Sequence, residues 1–197
     1  MSIAAIILVV TLATSLAALY GSPKIIEHSL FRPYWFLRRR QYATIVTSGL
    51  VHADLPHLIF NLITFYFFAF QLEKQIGGAR FAALYLIGLV VSDTGTYFKH
   101  RNDPDYASLG ASGAISAVLF ASIVYFPWQK LFIIPIPVPI PAPIFAIGYV
   151  AYSWYSSRQA RGRINHDAHL GGALAGLAFV LLTDPAAYSQ LLAWASG

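Results

Sequence analysis

The sequence contains no cysteine and few charged residues. Without cysteine, the chain can form neither disulfide bonds nor a zinc site with thiolate ligands. Charged residues make up 11% of the chain, whereas about a quarter of the residues in an ordinary soluble domain are charged. So few charges cannot cover a surface that faces water. The composition therefore argues against a soluble domain and favours a membrane protein.

Apolar residues are abundant instead: 57% of the 197 residues are hydrophobic and 15% are aromatic. A helix needs roughly 20 apolar residues to cross about 30 Å of hydrocarbon. Six segments approach this length, and we predict an all-α polytopic membrane protein whose single domain, residues 1–197, holds six transmembrane helices. The predicted helices cover residues 3–20, 57–76, 81–98, 111–126, 143–157 and 168–182.

Proline occupies every second position from Pro135 to Pro143, in the segment IIPIPVPIPAPIF before the fifth predicted helix. Proline lacks an amide donor, so this segment cannot form an α-helix. We predict an extended segment at the membrane interface, with Pro143 in the first turn of the fifth helix, where proline is tolerated.

The formal net charge of +5 raises the possibility of a nucleic-acid ligand. The basic residues, however, fall in short clusters between the apolar segments, as is typical of membrane flanks. We therefore predict contact with membrane lipid and no nucleic-acid partner.

Polar side chains occur at the starts of three predicted helices. His57 and Asn61 lie on one face of the second helix, Ser112 begins the fourth, and His169 begins the sixth. In an up-and-down bundle these three helices begin at the same side of the membrane. Because polar groups inside apolar helices are costly, the sequence predicts that the four side chains meet at a functional site.

These four residue types suit nucleophilic catalysis. A serine hydroxyl such as that of Ser112 needs a base, and His169 has a suitable pKa. His57 and Asn61 can donate hydrogen bonds to a developing oxyanion. Since a Ser–His hydrogen bond spans about 2.6–3.2 Å, the fourth and sixth helices must pack closely. Gly110 and Gly113 are expected to let backbone come close to Ser112, and Gly172 and Gly176 form a G-x-x-x-G pair that lets another helix approach closely.

Structural roles are the alternatives for the same residues. Ser112 could be a small residue in a helix contact, His169 an interfacial histidine, and His57 with Asn61 an interhelical hydrogen-bonding pair. His52 is expected to order the loop before the second helix or a water molecule, and a direct catalytic role is the alternative.

Other polar residues do not indicate a second catalytic centre. His166 and His169 could supply half a metal site, but no H-E-x-x-H motif occurs and carboxylates are few, so we predict no metal. The sequence SDTG contains a single aspartate, Asp93, whereas aspartic proteases need two. We expect Asp93 either to bond to a neighbouring helix or to reach the membrane interface, and Glu73 to act as a structural anchor.

Four motifs together resemble the rhomboid family of intramembrane serine proteases: HADLPHLIFN (52–61), EKQIG (73–77), GASG (110–113) and AHLGGALAG (168–176). GASG alone would be weak, but the combination in this order is specific. The resemblance covers about residues 35–185 and implies a six-helix rhomboid-like bundle in the bacterial inner (plasma) membrane.

The resemblance also implies an activity, the endopeptidase cleavage of single-pass transmembrane proteins within or next to their membrane segment, without a cofactor. Ser112 and His169 would form the catalytic dyad, and His57, Asn61 and the Ser112 backbone N–H the oxyanion hole. The alternative is a non-catalytic rhomboid-like protein that binds membrane clients, although such a protein is expected to lack the nucleophile or the base. A small transporter would show inverted repeats or a charged pathway, and neither occurs.

Two positions depart from the pattern of many relatives. Ser116 stands where an aromatic residue commonly stacks on the catalytic imidazole, and Ala43-Thr44 stands in place of a Trp-Arg pair. The first departure leaves open how His169 is held, and the second leaves open how the first loop packs.

Basic residues are distributed unevenly between the loops. The first, third and fifth loops hold ten of the 13 Lys and Arg residues, and the opposite side holds three. The positive-inside rule places the ten, and the active site with them, in the cytoplasm. The resemblance implies the reverse orientation for a bacterial member, which we favour.

Overall fold

The computed structural model describes residues 2–133, 136–159 and 164–196, and these residues are mainly α-helical. A π-helical segment, Ala17–Gly21, extends the first helix, and one small hairpin interrupts the helical chain. The helices are α1 (Ile3–Leu16), α2 (Pro23–Ser29), α3 (Pro33–Arg38), α4 (Thr44–Thr47), α5 (Leu55–Ile76), α6 (Gly78–His100), α7 (Ser112–Tyr125), α8 (Ala142–Gln159), α9 (His166–Thr183) and α10 (Tyr188–Ser196). The strands are β1 (Lys130–Ile133) and β2 (Ile136–Pro141).

The predicted all-α membrane fold is confirmed. Within the described residues, three helical segments are long and apolar enough to span a membrane, namely Ile3–Gly21, Leu55–Ile76 and Gly78–His100. The pair α9 and α10, bent by 110°, makes a fourth if it is counted as one span. Six spans remain a prediction.

Helix α7 forms the centre of the bundle. Every residue from Gly113 to Val124 is buried, and the helix packs against α5, α6 and α9. With 14 residues it is shorter than a helix that must cross lipid alone. A helix that is apolar on all sides is suited to burial inside protein, so its longer neighbours, rather than lipid, surround α7.

The proline-rich segment is extended, as predicted, and pairs with β1 in an antiparallel hairpin, which was not predicted. Pro135 lies outside the described residues. Alternate amides of a strand point to the same edge, so alternating prolines remove the donors of one edge and leave the other free to pair. Strand β2 ends at Pro141 and α8 begins at Ala142, whose N–H donates to the Gln129 carbonyl at 2.9 Å and so holds the start of α8 against the residue before β1.

Glu73, near the end of α5, anchors the start of α1. Its carboxylate accepts hydrogen bonds from Ser2 Oγ at 2.5 Å, from Ile3 N–H at 2.7 Å and from Ala4 N–H at 2.9 Å. The first amides of a helix have no partner within the helix, and a carboxylate there also opposes the positive end of the helix dipole. The expected anchoring role of Glu73 is thus confirmed.

We expect Glu73→Ala to destabilise the folded protein by about 1–3 kcal/mol, because the first amides of α1 lose a charged acceptor. The measurement is thermal unfolding in detergent, with Glu27→Ala as the control, since Glu27 is an exposed glutamate on α2. Equal midpoints for the two variants would contradict the anchoring role.

Candidate active site

A cavity of about 910 Å³ opens at the ends of α5, α7 and α9. The four residues singled out in the sequence, His57, Asn61, Ser112 and His169, all line it. They come from three helices that begin on the same side of the bundle. The structure therefore brings together side chains that are far apart in the sequence.

The start of α5 fixes His57. Asp54 is the N-cap residue of this helix, and its carboxylate accepts a hydrogen bond from His57 N–H at 2.8 Å. Pro56 lies in the first turn, where its missing amide donor is not needed. One turn later, the buried Asn61 donates from Nδ2 to the His57 carbonyl at 3.1 Å. An amide group has two N–H donors, so one remains for a ligand in the cavity.

Gly110 brings the backbone before Ser112 against the His57 ring. Its φ of +118° is in the region that favours glycine. A Cβ atom at this position would lie 2.6 Å from His57 Cε1 and 2.9 Å from Nε2. The predicted close approach at Gly110 is therefore an approach to His57, which sets the spacing between that ring and the start of α7.

The other three glycines allow the helices to touch. A side chain at Gly172 of α9 would collide with the Gly113 carbonyl of α7, and one at Gly176 with the Ala117 carbonyl. A side chain at Gly113 would collide with Ser92 of α6. These contacts give α7 and α9 the close packing that the chemistry was expected to require.

The start of α9, which carries His169, is fixed by a residue that was not singled out in the sequence. Asn165 is its N-cap residue: the side chain accepts from Ala168 N–H at 3.0 Å and donates to Thr96 Oγ1 of α6 at 2.9 Å. An asparagine directly before an apolar helix is a recognised N-cap signal, so this half of its role could have been predicted. The bond to Thr96 could not.

Lys99 joins three helices at the same end of the molecule through an ion pair and a hydrogen bond. Lys99 Nζ of α6 lies 2.7 Å from Asp167 Oδ2 of α9 and also donates to the Ser157 carbonyl of α8 at 2.7 Å. These bonds hold the end of α8 beside the start of α9.

Tyr149 of α8 fills the place beside His169 that Ser116 leaves open. The two rings are stacked, with centroids 5.8 Å apart and planes inclined by 23°. The Tyr149 hydroxyl is 2.8 Å from Ser116 Oγ, which donates to the Ser112 carbonyl, also at 2.8 Å. His169 is therefore held by stacking on Tyr149, which was not among the residues predicted for the site.

The hydroxyl of Ser112 forms no side-chain hydrogen bond with the residues that the structure describes. His169 lines the same cavity. Catalytic hydrogen bonds are often long or poorly aligned in a free enzyme and shorten when the substrate binds. The predicted hydrogen bond between Ser112 Oγ and the His169 ring is thus not formed in the described part of the chain, and we expect it to form when substrate binds.

His52 connects α1 to the peptide that precedes Ser112. It is fully buried, and its Nδ1 lies 3.0 Å from Ser15 Oγ of α1, while Nε2 accepts from Ala111 N–H at 3.4 Å. Since Nε2 accepts, the ring is neutral with its proton on Nδ1. His52 thus orders the loop as expected, and it also fixes the backbone beside the candidate nucleophile.

Burial, and to a smaller extent the nearby His57, lower the pKa of His52 to about 3, while Asp54 opposes the shift. An unfolded chain binds this proton near pH 6.5. The contribution of His52 to stability is therefore complete above pH 6.5 and is lost as the pH falls from 6.5 towards 3.

We expect wild-type stability to decrease below pH 6.5, with a contribution from His52 of up to about 1.4 kcal/mol per pH unit. His52→Gln removes this contribution and so flattens the pH dependence. Unfolding in detergent between pH 7.5 and 5 tests this, with His28→Gln, a change at an exposed histidine, as the control. Identical pH dependence in wild type and His52→Gln would contradict it.

The two other polar positions raised by the sequence have structural contacts. Asp93 is buried and accepts from Ser48 Oγ at 3.3 Å; of the two expected placements the structure shows the bonded one, and the partner lies in the short 3-10 helix Ser48–Leu50. His166 and His169 have ring centroids 5.6 Å apart and nearly perpendicular planes. No group of three or more His, Asp or Glu residues in the described part of the chain is arranged to hold a metal ion.

Comparison with known proteins adds to this geometry. The family model described as Rhomboid domain matches residues 39–185. The chain belongs to the rhomboid family. It is an integral membrane protein of a family whose members are typically intramembrane serine proteases.

Curated relatives of this rhomboid come from several organisms. It is 30% identical over 148 residues to RHOMBOID-like protein 12, mitochondrial, of Arabidopsis thaliana, covering 66% of this chain and 43% of the relative. It is 33% identical over 138 residues to Presenilin-associated rhomboid-like protein A, mitochondrial, of Danio rerio, covering 69% and 36%. It is 40% identical over 72 residues to the Bacillus subtilis (strain 168) protein named "Putative rhomboid protease YdcA", covering 36% and 35%. The chain thus spans less than half the length of these relatives.

Proposed function

We propose that this rhomboid is an intramembrane serine endopeptidase that cleaves single-pass transmembrane proteins within or next to their membrane segment. One observation carries the proposal: Ser112, His169, His57 and Asn61 line a single cavity although three different helices supply them. The protease kind agrees with the family and with the name of the Bacillus relative.

The proposed first step is an attack of Ser112 Oγ on the scissile carbonyl carbon, while His169 accepts the serine proton. The electron pair of the carbonyl moves onto its oxygen. His57, the free N–H of the Asn61 side chain and the Ser112 backbone N–H would stabilise this oxyanion, a contribution worth about 3–4 kcal/mol for a single donor in enzymes of this chemistry.

Collapse of the intermediate breaks the C–N bond, and His169 donates its proton to the departing amine. An acyl group then remains on Ser112. Water attacks the ester with His169 again acting as base, which releases the second product and restores the serine. Each step uses groups that line the cavity.

The shape of the cavity supports a membrane-embedded substrate. Its wall includes Phe60 and Thr64 of α5 and Phe145 of α8, and we propose that a transmembrane substrate enters from the lipid beside these side chains. A peptide bond in a regular helix is shielded by its own hydrogen bonds, so we propose that cleavage occurs at small, helix-breaking residues.

The test is cleavage in liposomes. Purified protein is reconstituted with a single-pass substrate whose transmembrane helix is interrupted by Gly and Pro near one end, and the products are identified by mass spectrometry. We expect one or a few cuts at the interrupted end. An intact substrate that nevertheless co-purifies with the protein would instead support the client-binding alternative and contradict the proposed activity.

We further propose a multi-pass location in the bacterial plasma membrane, with the cavity open to the non-cytoplasmic side. The long apolar helices agree with a membrane location, whereas the mitochondrial names of two relatives belong to those proteins. Reporter fusions in the loop between α1 and α5 decide the orientation. A cytoplasmic signal there would contradict the proposed side and agree with the distribution of basic residues.

A further inference from the structure

The middle of α8 is joined to the site by one aromatic side chain. Only Ala142, Pro143 and Ser153 of this helix are buried. Tyr149 lies between them, half-buried, and faces the cavity. Its side chain contacts both α7 and α9 at the depth of Ser112 and His169.

We propose that Tyr149 is a positioning residue for the His169 imidazole, and that the Ser116 hydroxyl holds Tyr149 in place. The inference rests on the proposed protease function and deepens it. In this proposal the orientation of His169 on α9 depends on the position of α8 beside it.

The stacking geometry supports this role. Aromatic pairs are favourable at centroid separations of about 4.5–7 Å, and the 5.8 Å separation with planes 23° apart lies within this range. His166 contacts the same imidazole edge-on, at 5.6 Å and 79°. Contacts with two rings restrict rotation of the imidazole, and a histidine can accept the proton of Ser112 only in an orientation that points a nitrogen at Oγ.

The hydrogen bonds give Tyr149 a second attachment. Ser116 Oγ donates its single hydrogen to the Ser112 carbonyl at 2.8 Å. A hydroxyl has one donor, so the bond of 2.8 Å between Ser116 and Tyr149 is donated by the tyrosine. These two hydrogen bonds therefore connect Tyr149, whose ring stacks on His169, to the turn of α7 that carries Ser112.

Neighbouring rings and the small residue at position 116 define the space around Tyr149. Phe120 and Phe145 contact Tyr149 with centroids 5.5 and 5.8 Å apart. Ser116 is buried at 2% exposure, so a larger side chain there would take the volume next to Tyr149. Ser116 and Tyr149 are consistent as a pair: a small residue on α7 leaves room for the aromatic residue from α8.

The test compares four variants in the liposome cleavage assay, with kcat and KM measured separately. Tyr149→Leu is expected to lower kcat by roughly 10²-fold with KM nearly unchanged, since displacement of a catalytic group by about 1 Å can cost that much. Tyr149→Phe keeps the ring but loses the hydrogen bond to Ser116, so kcat should fall by only about 2–10-fold, the effect of one hydrogen bond. The double variant Ser116→Phe, Tyr149→Ala moves the ring to α7 and should recover at least about tenfold over Tyr149→Leu. Tyr155→Leu changes an exposed tyrosine of the same helix and serves as the control.

Unfolding midpoints of all variants separate positioning from loss of fold. An unchanged kcat in Tyr149→Leu, or equal losses in Tyr149→Leu and Tyr149→Phe, would overturn the role of the ring. If Tyr149→Leu does not fold, a folded double variant without activity would overturn it as well. The proposed function is judged separately: if wild type cleaves no better than Ser112→Ala, the protease function fails and the inference fails with it.

Discussion

We expect replacement of Ser112 by alanine to abolish substrate cleavage and to leave the fold intact. The substitution removes one hydroxyl that has no side-chain hydrogen bond with the described residues, so the folded state loses no hydrogen bond of that group. Without the oxygen no acyl-enzyme can form. The expected loss of rate is roughly 10⁴-fold or more, as for the removal of a nucleophile from other serine enzymes.

The measurement is cleavage in liposomes together with thermal unfolding in detergent. Ser122→Ala is the matched control: Ser122 lies in the same helix, is buried, has no hydrogen-bond partner for its hydroxyl among the described residues and does not line the cavity. We expect this variant to cleave like wild type. Residual cleavage by Ser112→Ala within about tenfold of wild type would show that another group performs the reaction.

Introducing valine at Gly172 is expected to remove both activity and stability. A Cβ atom there would collide with the Gly113 carbonyl, which is backbone and cannot move aside as a side chain can. Beyond the Cβ atom, valine carries two methyl groups, and its side chain is restricted at χ1 in a helix. Relief requires α9 to move away from α7, and His169 moves with it. Overpacking usually costs about 1–3 kcal/mol, and a contact with backbone lies at or above the upper end of this range.

The matched control for this variant is Gly95→Val. Gly95 lies in α6, where an added Cβ atom meets no atom within 4 Å. We expect Gly95→Val to change stability only through the helix preference of valine and to keep its activity. If Gly172→Val had the same melting temperature and rate as Gly95→Val, close packing of α7 and α9 would not be required.

Most of the helical architecture could be predicted because the length and apolar character of a membrane helix are local properties. The six predicted segments overlap α1, α5, α6, α7, α8 and α9. The positions of Ser112, His169, His57 and Asn61 could be predicted to share one side because each lies at the start of an alternate helix. That inference needs only the order of the helices.

Contacts between distant segments could not be predicted from one sequence. The pairing of β2 with β1, the bond from Asn165 to Thr96 and the contact of His52 with Ala111 depend on how the helices are placed in space. Tyr149 was missed because only position 116 on α7 was considered for the ring beside His169. In the structure, α8 supplies the ring across the cavity.

The most direct test of the central claim needs no substrate. A serine-reactive fluorophosphonate is added to wild type, to His169→Ala and to Ser122→Ala, and the modified residue is located by mass spectrometry. A general base contributes about 10²–10⁴-fold, so we expect rapid labelling at Ser112 in wild type and Ser122→Ala, and labelling at least about 10²-fold slower in His169→Ala. An unlabelled Ser112 in folded wild-type protein, or a rate that does not depend on His169, would contradict the Ser112–His169 dyad.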